Sequence, residues 1–459
     1  MFLSAIEGID APRALDRAGL GGSVASVSGG VAAGGAFANP DGRSVDAPDG
    51  TLFFELGLSP APGSLVRVEV ALPPRARWNG RLVGLGNGGA GGFLPYREQG
   101  AYLRRGCATA TTDLGTRAVV ARAAPANAET IRDFGHRATH LAMVCGRALA
   151  EAAYGLPPRF VYFVGGSTGG QQGLSLVQRH PEDCDAAIAA VPAHDRTALH
   201  AYFLWNWQAS HRADGSMLFL GPQEKSWRRA VLDVLARRET MARARGRFVS
   251  DPRWSADERE EALELAARRD PTLSPVHLDA LRKMHEGPVH AQTGERIHGG
   301  IPPGADFGPA CGNLWLFDWA FGPGTDPFSI DFGADFDRYR AALAPDLDAN
   351  SPDLDAFSAR GGKLLVYSGS CDSCVPWHAT AAWYRKLAER CGGVEEARAF
   401  CLYYVLPGRA HVGGPGVQTI RDEFRHLVAW REKGIAPRLV GHGCTAPAFD
   451  VPLLPFSGL

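Results

Sequence analysis

The feature that most constrains this chain is a run of five residues, Gly165-Gly166-Ser167-Thr168-Gly169, set between an apolar strand and a helix. Phe160 to Val164 reads as the strand and Gln171 to Gln178 as the helix. A turn this tight crowds any side chain beside its centre, so glycines must flank the serine. The turn holds the hydroxyl out at the end of the strand and aims the Thr168 N–H at a developing oxyanion. The five-residue pattern recurs by chance, and a glycine-rich turn with an incidental serine is the plainer reading. The strand before it and the helix after it favour a nucleophile at Ser167.

Such a nucleophile needs a histidine base and an acid, and behind a strand–turn–helix of this kind they follow in the order Ser, Asp or Glu, His. Asp372 lies just past the strand Gly362 to Tyr367, and His411 just past the strand Leu402 to Leu406. Both are on loops that leave the carboxyl ends of strands, where α/β sheets place their sites. A lone histidine is usually a satisfied core or surface residue, and the chain has thirteen others besides His411. Chain order and loop placement select it nonetheless. Asp346, Asp348, Asp353 and Asp355 compete with Asp372 for the acid's role. The loop Gly86-Asn87-Gly88-Gly89 follows the strand Arg81 to Leu85, where a second oxyanion donor belongs, and Gly88 and Gly89 are its candidates.

The same loop carries a rival signal. Gly84-x-Gly86-x-x-Gly89 fits a dinucleotide fingerprint, with Asp113 beyond the next strand as the ribose-binding acid. The residues after it, Ala90 to Pro95, open a helix poorly, and phosphates would lack a helix N-terminus to bind. A nucleotide-dependent oxidoreductase is therefore a remote alternative.

Strands at 64–72, 81–85, 107–112, 160–164, 362–367 and 402–406 alternate with helices at 137–154, 171–178, 378–390 and 417–433, which argues for a mostly parallel α/β sheet. The rhythm breaks between about 195 and 345, where helical patches at 222–246, 255–269 and 276–284 stand without strands. The expected architecture is an α/β-hydrolase fold with a discontinuous catalytic domain, 1–195 and 346–459, and an inserted lid domain, 196–345. The aromatics Tyr202, Phe203, Trp205 and Trp207 near one lid boundary, and Trp315, Phe317 and Trp319 near the other, are candidates to line a substrate pocket, with lid core packing as the equal alternative.

The net charge of −1, from 48 basic and 49 acidic residues, gives no electrostatic reason to expect nucleic acid or an anionic membrane as partner. No apolar run approaches the roughly 20 residues that span a bilayer. Glu7 and Asp10 interrupt the stretch where a secretory signal needs apolar residues, so the chain is either cytoplasmic or a secreted protein whose sequence begins after a removed signal. Nine cysteines spread along 459 residues do not form a disulfide framework, and the single C-x-x-C at Cys371 to Cys374 is weak evidence for zinc or redox chemistry.

The residues resemble the tannase and feruloyl esterase family, which also includes bacterial hydrolases of terephthalate monoesters. Trp78 to Gly89, Asp133 to His140, Tyr162 to Gly170, Arg179 to Asp183, Pro352 to Phe357, Gly361 to Leu364 and His411 to Gly416 carry the likeness over most of 78–435. The resemblance implies an α/β-hydrolase core, a large lid and esters of aromatic acids as substrates. Two departures stand out. Family members usually have a cysteine just before the nucleophile and another just after the histidine, joined in a disulfide, where this chain has Gly166 and Val412. That absence frees the His411 loop from a cross-link and fits a reducing compartment. Members often hold calcium in the lid, but the comparable stretch, 231–254, has few acids and many arginines, so no metal is expected. No cofactor is expected either.

The expected function is serine-dependent hydrolysis of carboxylic esters of phenolic acids or related small esters, with Ser167, His411 and Asp372 as triad and a small-molecule ester as substrate. An acyltransferase or lactone-processing enzyme using the same triad is the alternative, and a non-catalytic binding protein that kept the fold is a remote one.

Overall fold

Val66 to Leu72 alternates in the sequence as a half-buried strand does, and it becomes one in the computed structural model, which describes residues 8–38, 44–239, 244–414 and 422–437. Eleven strands are present among the described residues: β1 Val24–Val31, β2 Ala36–Ala38, β3 Ser44–Asp46, β4 Leu52–Leu58, β5 Val66–Leu72, β6 Arg81–Leu85, β7 Ala108–Thr112, β8 Phe160–Gly166, β9 Ala186–Ala190, β10 Lys363–Gly369 and β11 Cys401–Leu406. Nine of them form one sheet in the order β1-β4-β5-β7-β6-β8-β9-β10-β11, and β2 pairs with β3 separately. β1, β4, β5 and β7 pair antiparallel in turn, whereas β7, β6, β8 and β9 pair parallel. The parallel part has its strands almost wholly buried, as a sheet covered by helices on both faces requires.

Two compact units divide the chain, with the boundary crossing β10. The first holds residues 1–194, 346–365 and 424–436, and its core includes Phe54, Leu56, Val68, Leu82, Tyr162 and Phe163. In it the helix Ala138–Tyr154 ends at Gly155, whose φ of 69° closes the last turn without the penalty a Cβ would incur. The helix Glu423–Lys433 is fastened to two strands through one carboxylate. Glu432 accepts from Arg81 of β6 at 2.7 and 2.8 Å and from the Tyr162 hydroxyl of β8 at 2.7 Å.

The second unit holds 195–345 and 366–423, so the expected lid span lies within it together with the loops after β10 and β11. Its helices include Arg196–Ser210, Gly221–Leu235, Ala256–Arg269, Pro275–Glu286 and Trp377–Cys391. Ser255 starts one of them in a reciprocal capping box with Glu258, which satisfies two backbone donors at the exposed end. Trp227 anchors this helical part. Its indole N–H donates to His285 Nε2 at 2.9 Å, and His285 Nδ1 lies 2.8 Å from the Ile301 carbonyl. No helix among the described residues is long and apolar enough to cross a membrane.

Five strands escape the sequence reading, among them the short pair β2 and β3. β1 is a mostly exposed edge containing two glycines, and β4 pairs with it. β9 is Ala-Ala-Ile-Ala-Ala, whose residues favour helix, and only burial between β8 and the rest of the sheet makes it a strand.

Candidate active site

In the first unit Ser167 stands between β8 and the helix Thr168–Arg179 at φ 60° and ψ −118°. A serine rarely adopts this backbone, and holding it there costs about 1–3 kcal/mol that the surroundings must offset. They do so with hydrogen bonds on both sides of the peptide. The Ser167 N–H donates to the Ala190 carbonyl at 2.9 Å, and the Ser167 carbonyl accepts from Ala193 at 3.1 Å and from Gln171 at 3.1 Å. The flanking glycines are steric necessities. A Cβ on Gly165 would strike the Gly169 backbone, and one on Gly86 would lie 2.5 Å from the Cα of Gly169. The loop after β6 therefore crosses the serine turn backbone against backbone, which explains the glycine at position 86.

That crossing is locked by polar contacts. Gly169 donates to the Asn87 carbonyl at 2.7 Å, Asn87 N–H donates to Gln172 Oε1 at 2.8 Å, and the Thr168 hydroxyl donates to the Gly89 carbonyl at 2.6 Å. Gly88 is half-buried, while Gly89 is exposed with φ at 57°. Thr168, Gly88 and Gly89 thus border the serine turn on one side. Asn87 and Gln172 were not singled out from sequence, and Gln172 is recognisable only once the turn places that face of the helix against the loop.

The dinucleotide reading finds no support in this arrangement. The helix that follows the loop, Tyr96–Arg104, begins only after Pro95. Asp113 is buried and spends Oδ1 on the N–H groups of Arg67, at 2.9 Å, and Gly115, at 2.8 Å.

The second unit brings Asp372 and His411 together. Their loops are laced by the Ser370 hydroxyl, which donates to the Val249 carbonyl at 2.6 Å and accepts from Gly408 at 2.7 Å, and by Cys371 N–H, which donates to the Arg409 carbonyl at 3.0 Å. Asp372 is wholly buried. Its Oδ1 accepts from the backbone of Cys374 and Val375, both at 2.9 Å, and its Oδ2 lies 3.0 Å from His411 Nδ1. These contacts hold the carboxylate oriented, with Oδ2 facing the imidazole. Burial pulls the His411 pKa down, but the Asp372 carboxylate and the Cys374 side chain, both hydrogen-bonded to the ring, push it up to about 10. The competing Asp346 lies in the first unit beside His136, at 3.2 Å.

Cys374, like Asn87 and Gln172, is not marked out by the sequence pattern as a site residue. Its only signal was its place two residues after Asp372. It is a free thiol, as are Cys371 and the other described cysteines. At the two positions where the resemblance implies a disulfide, Gly166 ends β8 without a side chain and Val412 is 89% exposed.

The candidate pocket aromatics also belong to the second unit. Trp205 donates its indole N–H to the Lys283 carbonyl at 2.8 Å, and Trp207 stacks on His211 at 3.6 Å. Phe317 is buried against Tyr339, a core role, whereas Trp315 and Trp319 are half-buried and lie 4.7 Å apart between ring centroids. Tyr202 is buried and donates its hydroxyl to the Ser373 carbonyl at 2.7 Å, next to Asp372. In the stretch compared with a calcium loop, Asp251 is paired with Arg253 and Arg238.

A model of the family described as tannase and feruloyl esterase matches residues 59–314 and 325–442. An uncharacterized esterase of Xanthomonas campestris pv. campestris is 30% identical over 463 residues, spanning 88% of this chain and 79% of its own. A probable feruloyl esterase B-2 of Aspergillus flavus is 27% identical over 416 residues, 82% of this chain and 77% of its own. Among solved structures, an esterase from Aspergillus oryzae superposes with a TM-score of 0.77 at 22% identity, covering 93% of this chain and 90% of that one.

Proposed function

Because the chain belongs to the tannase and feruloyl esterase family, and is a carboxylic ester hydrolase of α/β-hydrolase fold, we propose that it works through Ser167, His411 and Asp372 on esters of phenolic acids. The observation that carries the triad is the strained Ser167 backbone, held at φ 60° by its neighbours where strand meets helix. Strain of this kind persists where function requires it.

Ser167 Oγ attacks the ester carbonyl carbon while His411 accepts the hydroxyl proton. Asp372 fixes the imidazole through Nδ1 and stabilises the cation that forms. The oxyanion is met by the Thr168 N–H and by that of Gly88 or Gly89, each donor contributing about 3 kcal/mol to the transition state. His411 then protonates the departing alcohol, and water enters to hydrolyse the acyl-enzyme by the same steps reversed. A phenolic acyl group suits the half-buried indoles of Trp315 and Trp319, and a relative named feruloyl esterase supports that class.

The test is hydrolysis of gallate, ferulate, terephthalate-monoester and nitrophenyl acetate esters by wild type and Ser167→Ala. Turnover of a phenolic ester that disappears in the variant, with the circular dichroism spectrum unchanged, is the expected result. Ser167→Ala activity near that of wild type would end the proposal. A silent panel with Ser167 still labelled by a fluorophosphonate would keep the nucleophile and discard the phenolic substrate.

A further inference from the structure

His180 closes the helix that begins beside Ser167, and the turn His180-Pro181-Glu182-Asp183 follows it. Asp183 N–H donates to the His180 carbonyl at 2.9 Å, so the turn is shut and its first and last side chains are brought near each other. His140, from the helix Ala138–Tyr154, lies against both. Its imidazole stacks on that of His180 at 3.9 Å with 16° between the planes, and its Nδ1 is 2.7 Å from Asp183 Oδ2. One donor atom from each of the three residues falls within 4.8 Å of the others. Asp183 is buried and the two histidines are half-buried, so the cluster is reachable from solvent on the histidine side.

We infer that His140, His180 and Asp183 form a binding site for a zinc-like divalent ion, separate from the esterase machinery. Two imidazoles and one carboxylate suit Zn2+, Co2+ or Ni2+, whereas Ca2+ and Mg2+ require oxygen donors in larger number. Ligand atoms of a tetrahedral zinc are about 3.3 Å apart, as bonds of about 2.0–2.1 Å dictate, so separations of up to 4.8 Å must close by as much as about 1.5 Å, while His140 Nδ1 and Asp183 Oδ2, now 2.7 Å apart, must open slightly. Small torsional changes in two half-exposed histidines accomplish this, and a water completes the shell. The helix Thr168–Arg179 has 12 residues, which sets the cluster about 18 Å along its axis from Ser167. The ion therefore takes no part in ester chemistry. It would clamp the far end of the helix that carries the serine turn to the neighbouring helix, and its binding free energy would add to the stability of the folded state.

The test is calorimetric titration of metal-free, tag-free full-length protein with ZnCl2, paired with the visible absorption of the Co2+ form. Wild type should take up one equivalent that His180→Ala and His140→Ala each lose or bind more than about tenfold more weakly. His180→Gln, which keeps side-chain bulk, serves if the alanine variant does not fold. His411→Ala should retain that equivalent, which separates this site from Cys374 and His411. Absence of micromolar Zn2+ binding by wild type, or an unchanged equivalent in the His140 and His180 variants, would overturn the inference.

Discussion

The imidazole of His411 answers to two groups of different chemistry, a buried carboxylate and a thiol two residues further along the chain. Asp372 contributes orientation as well as charge, because two backbone N–H groups hold its other oxygen at 2.9 Å. Both partners raise the His411 pKa against the pull of burial, to about 10. A raised value means that the neutral, proton-accepting imidazole grows in only as pH rises, so kcat/KM should climb on the alkaline side of an ordinary histidine titration. Cys374→Ala removes one of the two partners and should move that limb to lower pH, with the plateau rate changed by less than about tenfold. A limb that stays in place in a pH–rate profile would show that the thiol does not influence the base. The pairing of Asp372 with His411 was legible in the sequence because strand ends and chain order point to both. That of Cys374 was not, since a cysteine in a loop carries no pattern until the loop's path is known.

Elements explain what the residue pattern could not. Apolar alternation revealed β5, a short apolar run revealed β6, and the strand–glycine–helix sequence revealed the turn at Ser167, because each is a local signal. β9 is alanine-rich and β1 is a glycine-bearing edge, so their identity comes from pairing with distant partners. The loop 86–89 is similar, since its first glycine, Gly86, answers to the backbone of Gly165 and Gly169 about eighty residues away. Attachment of the helix Glu423–Lys433 is another long-range matter, resting on Glu432 with Arg81 and Tyr162. Burial pushes the Glu432 carboxyl up, but Arg81 and Tyr162 more than reverse it, so its pKa is lowered. A lowered folded value contributes stability above the carboxyl's unfolded pKa and loses it as pH falls through the folded one. Glu432→Gln should therefore cost about 1–3 kcal/mol in urea unfolding at pH 7, and the gap from wild type should shrink below about pH 4. A constant gap across that range would mean that ionic pairing contributes nothing.

Across the whole molecule, two compact units share a chain that passes between them several times. Each has its own buried core, so unfolding need not be a single event. Scanning calorimetry is expected to give a calorimetric enthalpy exceeding the van't Hoff value, and a ratio of one would show that the units melt as one. The likeness to family relatives spans most of the chain, and the described cysteines of this chain are all free thiols. For anyone preparing the enzyme, that has a practical side. No oxidative folding step or disulfide isomerase is needed for the described residues, and reductant in the buffer has no bond among them to break. Recombinant production in a reducing bacterial cytoplasm would leave the described cysteines as the thiols they are here.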